Sequence, residues 1–256
     1  MDLAILEPLV RLAWLLGAVA FVLGLIRMNS PATARNGNLL SAGGMLVAIV
    51  ATAVILALEP HEGGTNVVGW AIIVVGIAIG GGLGLYTART VKMTAMPQLV
   101  SLFNAVGGGA AALIAIDDYL KLTAAPSAQV NVATVLDIVI GSITFTGSLI
   151  ASGKLMGLRI TPSRPVIIPG GRLVTLALAA IAVGGAAYLW AGNLSVEVVG
   201  LILLASLIFG ITMTLPIGGA DMPVVISLLN SFTGTAVAMA GFVLDNPVLI
   251  IAGALV

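Results

Sequence analysis

The chain has 256 residues, of which 60% are hydrophobic and 8% are charged, and its mean hydropathy is +1.21. Soluble domains contain about 45–50% apolar and about 25% charged residues, so this composition excludes an ordinary soluble protein and indicates an integral membrane protein. The formal net charge is zero and cysteine is absent, which excludes disulfides and thiolate metal sites. No metal, bound cofactor or nucleic-acid partner is predicted for this chain.

Apolar runs recur along the whole sequence, and most are long enough to cross a hydrocarbon layer of about 30 Å as a helix. They predict an all-α fold: a polytopic transmembrane bundle of about nine helices covering residues 1–256. With Gly, Pro, Asn and charge clusters taken as boundaries, the predicted helices are 8–27, 38–58, 66–87, 96–116, 131–153, 172–191, 196–216, 222–243 and a ninth from about 247.

The two ends of the sequence predict a retained first span and an incomplete last one. Asp2 and Glu7 precede the first apolar run, whereas a secretory signal has a basic leader, so we expect a retained first span. The last run, PVLIIAGALV, reaches only about 15 Å as a helix, about half of a span. We therefore expect a longer natural chain.

The charges separate by side. Eight of the ten basic residues lie in or near alternate connections: Arg27, Arg35, Arg89, Lys92, Lys154, Arg159, Arg164 and Arg172. The opposite connections carry Glu59, Glu62, Asp117, Asp118, Glu197 and Asp245, with Lys121 as the basic exception. Because short basic loops face the cytoplasm, the N-terminus is predicted to lie outside. The longest inside loop, 154–172, is too short to form a nucleotide or substrate domain.

A polar motif occurs twice inside apolar runs, as MPQLVSLFNAVGG and again as MPVVISLLNSFTG. Pro, Ser, Asn and Gly stand at i, i+4, i+7 and i+11 in each copy, which is one face of a helix. The polar pairs are Ser101 with Asn104 and Ser227 with Asn230. Each Asn lies about 12 Å along its helix, well inside the hydrocarbon region, where an amide needs a partner or a water. Interhelical hydrogen bonding alone is the alternative interpretation.

A third predicted helix repeats this spacing with Asp137, Gly141, Thr144 and Ser148. An ionisable residue within a span is costly and is a functional candidate by default. Three polar stripes on separate helices predict a shared hydrated path. Asp137 lies only about two turns from the outside end, so an Asp at the membrane interface remains an equal alternative.

The strings VKMTAMPQLVSLFNAVGG, GSITFTGSLIASGKL and IGGADMPVVISLLNS resemble the membrane domain of the β subunit of proton-translocating NAD(P) transhydrogenase. The resemblance implies that the chain carries protons through the bacterial inner membrane and couples their inward movement to hydride transfer from NADH to NADP⁺. NADP(H) would bind in a domain downstream of this chain. NAD(H) would bind in a partner α subunit that adds further membrane helices, and the complex would be a dimer.

The resemblance also implies roles for particular residues. Asn230 and Ser148 match polar residues of the family's proton path, and Asp221, which is also a predicted N-cap, matches the Asp facing the NADP(H) domain. Many relatives have His where this chain has Asn104, and an amide does not titrate near neutral pH. The hypothesis is therefore that a titrating group comes from a partner helix packed against Asn104, Asn230 and Thr214. For Thr214, hydrogen bonding to its own helix is the alternative.

Two other functions remain open from the sequence. One is a stand-alone secondary transporter with pseudo-repeated halves and a substrate site between the two Asn helices. The other is a purely structural membrane subunit.

Overall fold

The computed structural model describes residues 3–58, 67–124 and 126–256, and over these ranges the chain is helical with no strand. The helices are α1 Leu3–Met28, α2 Pro31–Leu58, α3 Val67–Thr90, α4 Met96–Leu120, α5 Ala128–Met156, α6 Gly171–Trp190, α7 Val196–Thr214, α8 Met222–Val243 and α9 Pro247–Leu255. Eight of them are long and apolar enough to cross a membrane. The predicted all-α fold is confirmed. The predicted orientation stays a prediction, and Asp2, Glu59 and Glu62 lie outside the described residues.

The connection between α1 and α2 is much shorter than predicted. Helix α2 begins at Pro31 rather than near residue 38, because Pro31 fits the first turn of a helix, where its missing N–H costs nothing. The Ser30 carbonyl accepts the amides of Thr33 and Ala34 at 3.1 and 2.9 Å. The Thr33 hydroxyl donates to the Arg27 carbonyl at 2.6 Å, which closes the turn.

Helix α4 continues to Leu120, one turn beyond the predicted end, so Asp117 and Asp118 lie in a helix and not in a connection. The reason is local. Lys121 pairs with Asp117 one turn earlier, which supports the final turn of the helix. This hydrogen bond raises the pKa of Lys121, which lies just outside the span.

The described chain forms two compact units, Met1–Met96 and Pro97–Val256. In the first unit, α1 and α2 form an antiparallel hairpin with almost no space between their backbones. A Cβ added to Gly44 would lie 2.9 Å from the Gly17 carbonyl oxygen. Leu6, Val10 and Ala51 form the small buried core of this hairpin.

In the second unit α5 is the central helix, and most of its length is buried. Its Gly141 contacts α4, where an added Cβ would lie 2.6 Å from the Gly108 carbonyl oxygen and 3.0 Å from the Ala112 amide nitrogen. Helix α7 approaches α5 as closely, because a Cβ on Gly210 would clash with the Ile143 carbonyl and the Thr146 side chain. Small residues thus set the spacing around α5.

Two apolar clusters fix the ends of this unit. One joins α4, α5, α6 and α7, and the second joins α5 to α8. Their buried members are Ala115, Tyr119, Val135, Ile138, Ala186, Leu189, Val199 and Ile202 in the first, and Ala151, Met222, Val225, Ile226 and Leu229 in the second. Thr144 and Ser148 lie between these two clusters along α5.

The substitution Gly141→Ala is expected to destabilise the chain by about 1–3 kcal/mol, because the new methyl group meets backbone atoms that cannot move aside. Gly200→Ala is the matched control. It lies in α7 with no atom within 4 Å of an added Cβ, so it is expected to be neutral or to stabilise by up to about 1 kcal/mol. Unfolding in mixed detergent measures both. Equal stability of the two variants would contradict the tight α4–α5 contact.

Candidate functional site

The polar face of α4 lies directly on the polar stripe of α5. The two helices are antiparallel and nearly touch at Gly108 and Gly141, so residues nearer the start of α4 meet residues nearer the end of α5. Ser101, Asn104 and Ser148 are therefore brought together, as the sequence predicts. At most 7% of each of these residues is exposed.

A hydrogen-bonded network centred on Asn104 links three helices. The Asn104 Nδ2 donates to Ser148 Oγ on α5 at 2.9 Å, and Ser101 Oγ donates to the Ser148 carbonyl at 2.8 Å. From α8, Thr233 Oγ1 donates to Asn104 Oδ1 at 2.6 Å. The amide is thus bonded at both ends by side chains from two neighbouring helices.

Sequence reasoning missed Thr233. Its position three residues after Asn230 places it beside that residue on α8, and this spacing was the available signal. Two further residues extend the α4–α5 seam toward the predicted inside face. The Ser152 hydroxyl donates to the Gln98 carbonyl at 3.0 Å, and the Gln98 amide donates to the Leu155 carbonyl at 3.3 Å.

A groove of about 390 Å³ opens beside this network, between α4, α8 and α9. Its polar lining comes from Asn104, Asn230 and Thr233, and the rest is Val100, Phe103, Gly234, Val237, Ala252, Gly253 and Val256. The predicted pair Asn104 and Asn230 therefore share one space. Asn104 is buried at its edge, whereas Asn230 is exposed on the surface of this chain.

The α8 stripe does not pack with the other two. Ser227 and Asn230 are exposed, and α8 instead packs Leu229 and Met222 against α5. The sequence showed that Ser227 and Asn230 share one face of α8. It did not show that the face contacting α5 is another one, which carries large apolar side chains. Of these two polar residues, Asn230 lines the groove and Ser227 does not.

Asp221 occupies the N-cap position of α8, but the prediction that its side chain caps the helix is wrong. The chain enters α8 through a 3₁₀ turn, Gly219–Asp221, so the Asp221 backbone is already close to helical, with φ −94° and ψ −2°. A capping side chain normally needs an extended backbone to reach back to the helix amides. Asp221 makes no capping bond and is exposed.

Asp137 and Thr144 are fully buried on α5 at 0% exposure. In the described part of the chain, neither oxygen of the Asp137 carboxyl group has a hydrogen-bond partner, and the Thr144 hydroxyl has none either. Within this chain Asp137 thus faces the protein interior.

Thr214 is also fully buried, and its hydroxyl donates to the Gly210 carbonyl of its own helix at 2.9 Å. This is the hydrogen bond to its own helix that the alternative interpretation of Thr214 predicts. Its hydroxyl oxygen also lies 3.2 Å from the place of an added Cβ on Gly147, so it packs on α5. A part for Thr214 in a proton path stays a prediction.

The fold and the site define a class: a polytopic bundle of apolar helices with an amide–hydroxyl network buried between its central helices. The family model described as NAD(P) transhydrogenase beta subunit matches residues 10–256. The NAD(P) transhydrogenase subunit beta of Rhodospirillum rubrum is 41% identical over 98% of this chain, which covers 53% of that protein. A second Rhodospirillum rubrum sequence of the same name gives the same values.

The chain therefore belongs to the NAD(P) transhydrogenase β subunit family, as the resemblance predicted. It spans about half the length of the curated relatives it matches. Membership and the eight apolar helices fit a multi-pass membrane protein. They do not favour the stand-alone transporter.

The bond between Asn104 and Ser148 is expected to contribute about 0.6–2 kcal/mol to stability, the range for buried polar contacts between membrane helices. The variants Asn104→Leu, Ser148→Ala and their combination form a double-mutant cycle, read by unfolding in mixed detergent. Ser231→Ala replaces Ser148→Ala in a control cycle, because the exposed Ser231 hydroxyl bonds within its own helix at 3.3 Å. Additive effects in the first cycle would contradict the network.

Proposed function

We propose that this chain is the proton-translocating membrane part of an NAD(P) transhydrogenase in a bacterial inner membrane. It would couple inward proton movement to hydride transfer from NADH to NADP⁺. The observation that carries the proposal is the Asn104 amide, held by Ser148 and Thr233 deep within the helices and bordering a groove that also contains Asn230.

The bonding of Asn104 defines what it can do. An Asn side chain has two N–H donors and two acceptor lone pairs. One donor is used by Ser148 and one lone pair by Thr233, so one of each remains available. Such a group orders water or a partner side chain at a fixed place, but it does not carry a proton itself, because an amide does not titrate near neutral pH.

The titrating group is therefore proposed to come from a membrane helix of a partner α subunit that occupies the groove. Asn230 supports this, since an exposed amide about 12 Å into a span needs a polar neighbour or water. In this proposal Asp137 serves the outside part of the path, together with Thr144. Ser101 orients Ser148, while Ser227 and Thr214 line the path nearer the inside.

The remaining functions of the complex are assigned outside these 256 residues. NADP(H) would bind in a further domain of the β subunit, which Asp221 faces from the inside end of α8. NAD(H) would bind in the α subunit, and two such units would form the complex. Support comes from the family and from the exposure of Asp221, which leaves its carboxylate available to a neighbouring domain.

In the complete complex, Asn104→Leu and Asn230→Leu are each expected to lower coupled proton translocation about tenfold or more, a loss of at least about 1.4 kcal/mol in the coupled step. Hydride exchange between bound nucleotides that needs no proton movement should persist. Membrane vesicles with a pH-sensitive dye measure the first activity, and nucleotide absorbance measures the second. Ser231→Ala, which is also exposed on α8, serves as control and should keep both activities.

The source of the titrating group is tested separately. Replacing every histidine in the membrane helices of the α subunit should abolish coupling while leaving hydride exchange. Retained coupling would refute a partner histidine as the proton carrier.

Asp137→Asn is expected to reduce proton translocation severalfold, because it removes the one fully buried carboxyl group among the residues assigned to the path. Asp117→Asn is the matched control, since Asp117 is exposed, with a side chain 63% accessible, and pairs with Lys121. Both are assayed in the same vesicles. Wild-type coupling in Asp137→Asn would remove Asp137 from the path.

A further inference from the structure

Lys154 lies in the last turn of α5 and is fully buried, with 0% exposure. Lysine is almost never fully buried unless its ammonium group is paired. Here the ammonium donates to two backbone carbonyls, those of Pro162 at 3.2 Å and Arg164 at 3.0 Å. Both carbonyls belong to the connection that leaves α5, so a charged side chain inside the fold holds an otherwise irregular segment.

The connection is able to return to Lys154 because of Gly157. This residue ends α5 in the left-handed conformation, with φ +65°, which glycine adopts without strain. After the turn, Ser163 Oγ donates to the Lys154 carbonyl at 2.7 Å. Lys154 thus binds the returning segment through both its side chain and its main chain.

The same segment holds the α7–α8 connection. The carbonyls of residues 162 and 164 accept from Lys154, and the Ser163 carbonyl between them accepts the Gly219 amide at 2.7 Å. The Val166 amide donates to the Leu215 carbonyl at 3.1 Å, which adds a second link.

Gly219 begins the 3₁₀ turn that contains Asp221 and leads into α8. A short series of contacts therefore runs from Lys154 through Ser163 to Gly219, and ends at the start of the helix that carries Asn230. Met222 follows at once and is fully buried against α5 and α8 neighbours, so a shift of this turn also moves the first residue of α8.

We propose that Lys154 is a positioning residue that holds the α7–α8 connection, and with it Asp221, in register with α5. The placement depends on the geometry alone. Its consequence, that Lys154 is needed for proton movement to be coupled to the nucleotide-binding side, depends on the proposed function.

The test compares Lys154→Met, which keeps the length and apolar stem but removes every donor, with Lys154→Arg, which retains donors and charge. Lys92→Met is the control, because Lys92 is exposed and is predicted to lie on the same side of the membrane. The complete complex is used in membranes. Hydrogen exchange is followed by mass spectrometry in the segment that includes the Gly219 amide.

In Lys154→Met, the amide hydrogens of residues 216–222 are expected to exchange about tenfold faster or more than in the wild type. Lys154→Arg should recover at least part of the protection from exchange. Lys92→Met should match the wild type. Unchanged exchange in Lys154→Met would overturn the placement. If that variant does not assemble, Lys154→Gln, which retains one amide donor group, is measured instead. It should show a smaller increase in exchange, and wild-type exchange would again refute the proposal.

The coupling consequence has its own readout, the number of protons moved per hydride transferred, normalised to folded complex. A stability defect alone lowers both activities together, whereas lost positioning lowers the ratio. A wild-type ratio together with faster exchange would overturn the coupling role and leave the placement standing. Failure of the proposed function itself would appear as absent proton movement in the wild type.

Discussion

The close contact between α4 and α5 is the constraint on which the rest of the second unit depends. A short side chain such as Ser or Asn bonds directly across a helix pair only when the two backbones nearly touch, and Gly108 and Gly141 allow this. The same contact buries Thr144 and brings Ser148 within reach of Asn104. Packing and polar chemistry are therefore not separate features of α5, because the glycines that set the spacing also create the network.

The buried polar residues of α5 form a series along the helix. Asp137 lies toward one end, Thr144 and Ser148 lie in the middle, and Lys154 lies at the other end. Each has a different relation to its neighbours: the carboxyl group has no hydrogen-bond partner among the described residues, Ser148 accepts from α4, and the ammonium binds a loop. Helix α5 thus contacts both the neighbouring helix α4 and the connection that follows its own last turn through polar groups.

The sequence predicted the all-α architecture and the positions of the long helices well, because apolar length is a strong local signal. It placed the start of α2 wrongly, since polar residues after Pro31 look like a loop until the bonds of Ser30 and Thr33 are known. Helical spacing correctly grouped Ser101 with Asn104. Helical spacing could not show which face of α8 contacts α5. Ser227 was therefore grouped with the polar residues of α4 and α5, although it is exposed, and Thr233 was missed. Lys154 was interpreted as a loop charge, because burial of a lysine depends on a connection that folds back far from the helical pattern.

The two hydroxyl groups that hold Asn104 have a consequence for the direction of the network. A hydroxyl both donates and accepts, so a half-turn of the terminal amide group would reverse its hydrogen bonds to Ser148 and Thr233 without breaking the network. The three side chains therefore have two hydrogen-bonded arrangements of opposite direction. A histidine ring at this position would reverse the direction of a hydrogen bond by gaining or losing a proton. The hydrogen bonds of Asn104, Ser148 and Thr233 reverse by rotation of the side-chain groups alone.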